Sequence, residues 1–270
     1  MTVAKDFTFS QSSLQSYLNC QFQFYLKYVR NLDWPSALLD PWNPAEIERQ
    51  SGIRFHQLVQ NHFLGVPEAL LNKYAQEDGN PKMTEWLANF LKSAATNEGG
   101  SFYPELSVYA RIEDFNFSAK FDMLVLDEKK THIFDWKTSK NPPRTEWLRK
   151  RVQTQLYPLL ARSAHQKQFP NQIAPAIDFT YWEASFPDKS IHFAFEQSDL
   201  QYAEQLICGL ASEIVSKPLD SFDKTTRTER CTYCLYRTYC QRMSSNTENL
   251  ELEQELLFTG QDFVDNPEEK

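Results

Sequence analysis

Residues 119–140 read AKFDMLVLDEKKTHIFDWKTSK. Two apolar runs, 123–126 and 131–134, flank the polar residues Asp127, Glu128, Lys129 and Lys130, the pattern of a β-hairpin closed by a four-residue loop. A symmetric loop sets Asp122 directly opposite Asp135. Side chains alternate between the faces of a strand, so Phe121, Met123, Val125, Phe134 and Trp136 are expected on a core face and Asp122, Asp135 and Lys137 on the other. Two carboxylates opposed across strands repel. A divalent cation bound between them removes the conflict, and hard oxygen ligands favour Mg²⁺ or Mn²⁺. Lys137, on the same face, then stands where it can bind an anion or assist a water molecule. Taken alone, these residues fit a solvated hairpin face of ordinary surface charges as well.

The rest of the chain bears on that choice. It has 270 residues, 41% of them hydrophobic, with 20 Phe, 12 Tyr and 6 Trp, which argues for an aromatic-rich folded interior rather than disorder. No apolar run reaches the ~18 residues of a membrane span, and the opening MTVAKDFTFS lacks the charged-then-apolar order of a secretion signal. A cytoplasmic protein without a membrane partner is expected. The net charge of −8 argues against a nucleic-acid binder until it is divided along the chain. From Ser244 onward eight carboxylates stand against Lys270 alone, a net of −7, which leaves −1 for residues 1–243. The expected organisation is one domain over 1–243, with 244–270 as an acidic tail that is flexible or a short helix.

Residues 10–30 carry Leu14, Tyr17, Leu18, Tyr25 and Tyr28 at helical spacing behind Ser10 as N-cap, with Cys20 inside the helix. The segment 31–45, with Trp34, Pro35, Pro41, Trp42 and Pro44, reads as a loop pinned by its tryptophans. A helix over 46–64 places Gly52 and His56 on one face; the glycine suggests a close approach there, and His56 competes with His62 for any ligand role. Two helices broken at 79–81 are expected as a cap over the site. A strand over 102–112 containing Glu105, a turn at Glu113 and Asp114, and the hairpin then form an antiparallel meander. A helix over 144–166 opens with the basic residues Arg144, Arg149, Lys150 and Arg151, suited to phosphate contacts, and presents Gln153 and Tyr157 on one face. Strands over 176–183 and 190–195 and a helix over 198–216 follow, with Cys208 a core residue. Residues 228–243, TERCTYCLYRTYCQRM, place Cys231, Cys234 and Cys240 at Cys-x2-Cys-x5-Cys, three ligands of a four-cysteine site. Cys20 and Cys208 both remain open as the fourth.

In this order the motifs resemble the PD-(D/E)XK nuclease superfamily, in its RecB-like branch with an iron–sulfur staple. That branch includes CRISPR-associated four-cysteine nucleases and the nuclease domains of helicase–nucleases. The resemblance spans about residues 10–243 and rests on SLQSYLNCQFQFYLKY, GIRFH, the Asp122 strand, DWK at 135–137, QTQLY and CTYCLYRTYC. The chain departs from the usual pattern at Gln21, where a proline follows the first cysteine, and at Ala119, where a glycine is usual. The resemblance implies an α/β fold: a restriction-endonuclease-like core with a central mixed sheet, flanked by helices, and an iron–sulfur clasp joining the N- and C-terminal segments. It makes Cys20 the fourth cysteine, with Cys231, Cys234 and Cys240, around a 4Fe-4S cluster or, less in keeping with the branch, zinc. It also implies that His56, Asp122, Asp135 and the Trp136 carbonyl bind the catalytic Mg²⁺ or Mn²⁺, that Lys137 assists the attacking water, and that Gln153 and Tyr157 position the strand. Glu105 matches an accessory acid of the first strand. The expected activity is metal-dependent hydrolysis of DNA at single-stranded ends, in repair or recombination, alongside a helicase. Spacer acquisition with a CRISPR integrase, or a non-catalytic iron–sulfur DNA-binding subunit, are the alternatives.

Overall fold

The computed structural model describes residues 1–32, 44–93, 99–172, 175–231 and 234–242. The tryptophan-bearing loop at 33–43 and the acidic tail lie outside the described residues.

Ser10 closes a capping box with Ser13: its side chain accepts the Ser13 N–H at 3.2 Å, while Ser13 Oγ accepts the Ser10 N–H at 2.8 Å. This starts α1 (Gln11–Asn19) directly after the short strand β1 (Thr8–Ser10). The helix expected over 10–30 does not run through Cys20. That residue is extended, with φ −164° and ψ 113°, and divides α1 from α2 (Gln21–Phe24), which passes into a π-helical turn at Tyr25–Val29. Three helices follow, α3 (Pro44–Phe63), α4 (Glu68–Glu77) and α5 (Met83–Leu91).

The strand expected over 102–112 is two strands, β2 (Ser101–Pro104) and β3 (Ser107–Ile112), and the chain returns as β4 (Phe115–Lys120) and β5 (Met123–Leu126). Between them Glu105 adopts a φ of 55°, in the left-handed region that side chains other than Gly rarely enter. Yet pairing survives the break: Pro104 faces Met123, Ser107 faces Lys120, and the Glu105 and Phe121 N–H groups donate to Asp122 and Leu106 carbonyls at 3.1 and 2.9 Å. The hairpin is therefore one ladder bent at a corner, without a slip in register. Its two arms belong to different sheets.

The next strand, β6 (Lys130–Lys137), pairs with β5 in the expected register, Met123 facing Phe134 and Leu126 facing Thr131, so Asp122 and Asp135 meet across the strands. A crossover through α6 (Thr145–Arg149) and α7 (Val152–Gln168) returns the chain to β7 (Ala176–Glu183), parallel to β6; β8 (Ile191–Phe195) and α8 (Gln197–Ser216) complete the order. Among the described residues the strands form a mixed sheet ordered β2-β5-β6-β7-β8 and a smaller one ordered β1-β4-β3.

The larger sheet is buried on both faces, where a single core face was expected. Leu124, Leu126 and Ile133 pack with α1, α7 and α8 in one core. Met123, Val125, Phe134 and Trp136 pack with α3, α4 and α5 in a second. Phe121, expected with Met123, joins the first core instead, because the chain bends at Asp122, between the two residues. Helices α4 and α5 thus underlie the face opposite Asp135 and do not cap the carboxylates. No helix among the described residues is long and apolar enough to cross a membrane.

Candidate active site

The corner of the bent hairpin, strand β6 and helices α3 and α7 meet around Asp122. Its Oδ2 accepts the Trp136 N–H at 2.8 Å, and its Oδ1 lies 3.3 Å from His56 Nδ1. His56 stands one turn after Gly52 on α3. A Cβ at Gly52 would lie 3.2 Å from Thr138 Oγ1, so the approach suggested by that glycine is made by the turn after β6. The other ring nitrogen, Nε2, donates to the Trp136 carbonyl at 2.9 Å. With oxygens at both nitrogens, and until a cation binds, the ring favours its doubly protonated form; a cation binding there would displace one of these protons. Burial pulls the imidazole down, but the Asp122 carboxylate outweighs it and holds the pKa above the ordinary histidine value. Burial likewise opposes ionisation of Asp122, yet His56, Lys137 and the Trp136 N–H hold it below the usual carboxylate range.

Asp135 is 3% exposed, on the opposite face of β6 from the Trp136 side chain. Gln153 Nε2 donates to its Oδ1, the Lys137 ammonium pairs with its Oδ2, and Lys137 Nζ lies 3.5 Å from Gln153 Oε1. Burial, and then the Asp122 charge, push Asp135 above the usual range despite Lys137. The two opposed carboxylates have therefore parted, one held ionised and the other driven toward neutrality.

One turn along α7, Tyr157 is 7% exposed; its hydroxyl donates to the Lys120 carbonyl at 3.0 Å and its ring meets Phe121 edge-on at 5.0 Å. It clamps the end of β4 at the corner, and burial drives its pKa far up. Glu105, on the facing strand, pairs with the Lys120 ammonium. Its carboxylate, the His56 ring and Asp122 bring three ligand atoms within 4.8 Å of one another. Asp135 adjoins this group without belonging to it. One imidazole and hard carboxylate oxygens suit Mg²⁺ or Mn²⁺, so the donor set fits the expected ion.

The basic run lies at the break between α6 and α7. Arg149 stacks 4.8 Å over the Phe193 ring, Arg151 4.8 Å over Trp147, and Lys150 is exposed. The four cysteines are free thiols, and Cys20, Cys231 and Cys240 all act on Cys234, which burial and those neighbours raise to about 11. Among the described residues, no three sulfurs come as close together as the His56 group does. Cys208 is buried, its thiol 3.9 Å from the Ile112 carbonyl, away from the other four as expected of a core residue.

Sequence reasoning passed over Glu183. It ends β7 in register with Lys137, is 2% exposed, and accepts from Ser139 N at 3.3 Å and Ser139 Oγ at 3.2 Å. A carboxylate closing the otherwise apolar run TYWE was the available signal. Burial raises it from 4.5 to about 7, with Ser139 and Lys137 opposing. Because the folded protein holds this proton more tightly, the associated stability is complete below 4.5 and lost as pH rises through about 7. Glu183→Gln, which keeps an acceptor for Ser139, should therefore be more stable than wild type at pH ~8, by on the order of 2 kcal/mol, with the difference closing toward pH ~4.5. Urea melts of both proteins across that range provide the check.

A solved structure from Eubacterium rectale, described as a "Putative exonuclease", superimposes with a TM-score of 0.51 at 10% identity, covering 78% of this chain and 80% of its own. That likeness shows a shared fold. The structure of SSO0001 aligns over 88% of this chain and 87% of its own, at 12% identity and a TM-score of 0.43. No curated protein sequence matches. The sequence profile of the PD-(D/E)XK nuclease superfamily, however, matches residues 8–241, from β1 through the last cysteine and so across every residue of the site. An Asp at the corner of a bent hairpin, an Asp-x-Lys strand beside it and a profile that spans both place this chain in the PD-(D/E)XK nuclease superfamily.

Proposed function

We propose that the protein is a Mg²⁺- or Mn²⁺-dependent deoxyribonuclease of the RecB-like kind, an exonuclease working at single-stranded DNA ends. The observation that carries this reading is the convergence of His56, Glu105 and Asp122 beside the buried Asp135–Lys137 pair. A divalent cation there would polarise the phosphate and acidify a water molecule. His56, Asp122, Asp135 and the Trp136 carbonyl would hold it, with Glu105 as a further carboxylate and Asp135 reaching in from beside the group. Gln153 orients both Asp135 and Lys137, so it acts on the strand by way of the groups that meet it. Tyr157 serves by fixing the corner. Lys137 brings a positive charge to the phosphate as negative charge develops there. Arg149, Lys150 and Arg151 supply contacts to the phosphodiester backbone. A non-catalytic binding subunit would have no use for two opposed carboxylates, one of them buried and paired with a lysine.

Cys20, Cys231, Cys234 and Cys240 form, on this reading, a structural 4Fe-4S clasp. The Thr225 N–H reaches Cys20 Sγ at 3.4 Å and Arg230 donates to the Leu18 carbonyl at 2.8 Å, so the two chain ends are already tied. A single zinc ion, about 2.3 Å from each sulfur, would draw the thiols to ~3.8 Å from one another. A four-iron cluster binds each thiolate to a different iron and spaces them more widely.

Anaerobically purified protein should be brown, absorb near ~400 nm and shorten end-labelled single-stranded DNA only with Mg²⁺ or Mn²⁺. Cys240→Ser should lose the colour and melt at lower temperature. A metal-independent or inactive wild type would overturn the nuclease reading; a colourless protein with one zinc per chain would overturn the cluster alone.

A further inference from the structure

Three carboxylates line the site, and each has its own basic partner. Asp122 has His56, Asp135 has Lys137, and Glu105 has Lys120. A divalent cation entering among these oxygens contests all three pairs. The first two basic groups have roles in the proposed reaction, His56 as ligand and Lys137 beside the phosphate. Lys120 has none.

Its placement is unusual in another way. The main chain of Lys120 is fixed: it ends β4 in register with Ser107, and its carbonyl takes the Tyr157 hydroxyl. Its side chain, by contrast, is 63% exposed, whereas that of Glu105 is only 17% exposed. The carboxylate is therefore sheltered at the corner while the ammonium sits at the solvent mouth of the site. Glu105 has little freedom to leave, because its residue is held at φ 55° and its N–H is bonded to the Asp122 carbonyl at 3.1 Å. When the pair opens, it is the lysine that moves.

We propose that Lys120 is a displaceable counter-ion for Glu105. It yields the carboxylate to the divalent cation and carries its charge outward to a DNA phosphate, so that metal and DNA each strengthen the other's binding. Coupling of this kind is reciprocal by thermodynamic necessity. The inference rests on the nuclease reading above and adds to it a residue and a regulation of metal affinity by substrate.

Mn²⁺ titration calorimetry without DNA tests the first half. Lys120→Met keeps the aliphatic stem and removes the competing charge, so it should bind Mn²⁺ about two- to fivefold more tightly than wild type, the scale of a partly exposed ion pair. Lys120→Arg should return affinity toward the wild-type value. In a Glu105→Gln background the Lys120→Met effect should disappear, since the pair it breaks is already gone. The second half is read in Lys137→Ala protein, which leaves the DNA intact, by the anisotropy of a labelled single-stranded oligonucleotide. Mn²⁺ should tighten DNA binding severalfold with Lys120 present and less than twofold in Lys120→Met. Equal or weaker Mn²⁺ binding by Lys120→Met would overturn the inference and make Lys120 a simple support for Glu105. A wild type that binds no Mn²⁺ would overturn the nuclease reading and this inference with it.

Discussion

Asp135→Asn should lower the rate of DNA cleavage by roughly 10²–10³-fold or more, without loss of folded stability at neutral pH. The substitution keeps the shape of the side chain and an oxygen for Gln153 while removing the charge that faces the metal site. The stability half of the expectation comes from the direction of the Asp135 shift. Burial and the neighbouring Asp122 charge hold its carboxyl above the ordinary range, so the folded state binds that proton more tightly than the unfolded chain does. The stability linked to it is present in acid and lost as pH rises through the folded value. At neutral pH the wild-type carboxylate is therefore a burden that Asn lacks, and the variant should melt at the same temperature or higher. Near pH ~4 the advantage should vanish. Single-turnover cleavage with thermal melts at both pH values separates the two effects. Full activity in Asp135→Asn would refute the mechanism, and a large drop in melting temperature would assign Asp135 to the fold.

Lys137→Ala should reduce the chemical step by about 10²–10³-fold and change DNA affinity by less than about threefold. The ammonium is paired with Asp135 at rest, lies near the Gln153 amide oxygen, and sits 5.7 Å from the centre of the Tyr181 ring. These contacts hold it at the site before substrate arrives, so its charge acts chiefly as the phosphate becomes more negative in the transition state. Mn²⁺ affinity should be maintained or rise, because the lysine competes with the cation for Asp135 and is not a ligand. Rapid-quench turnover and equilibrium DNA binding measured on one preparation decide the matter: weakened binding with normal turnover would make Lys137 a docking residue.

The hairpin register was legible because its loop is short and symmetric, and with it the confrontation of Asp122 and Asp135. His56 beside Asp122 followed from helical spacing joined to a family resemblance; the contact of Gln153 with Asp135 did not, since Gln153 was expected to position the DNA strand. The corner at Glu105 was not legible. A positive φ is ordinarily announced by glycine or asparagine, and here a glutamate adopts it, supported by hydrogen bonds from the facing strand. The extended conformation of Cys20 was hidden in the same way, since Leu14, Tyr17, Leu18, Tyr25 and Tyr28 keep a helical rhythm across it. Burial of β6 on both faces was concealed by the charges of Asp135 and Lys137, which imitate a solvent face while lying against Gln153 on α7. Parallel pairing of β1 with β4 joins residues about a hundred positions apart, and a three-residue strand carries too little pattern to reveal such a partner.

Strand β6 gives Ile133 to one core and Phe134 and Trp136 to the other. Neither half of the molecule can then melt while a working site survives. Thermal inactivation should be set by a single rate-limiting opening: the half-life of activity at an elevated temperature should equal the half-life of the folded chain, and a proteolytic fragment retaining only one of the two cores should have no residual turnover.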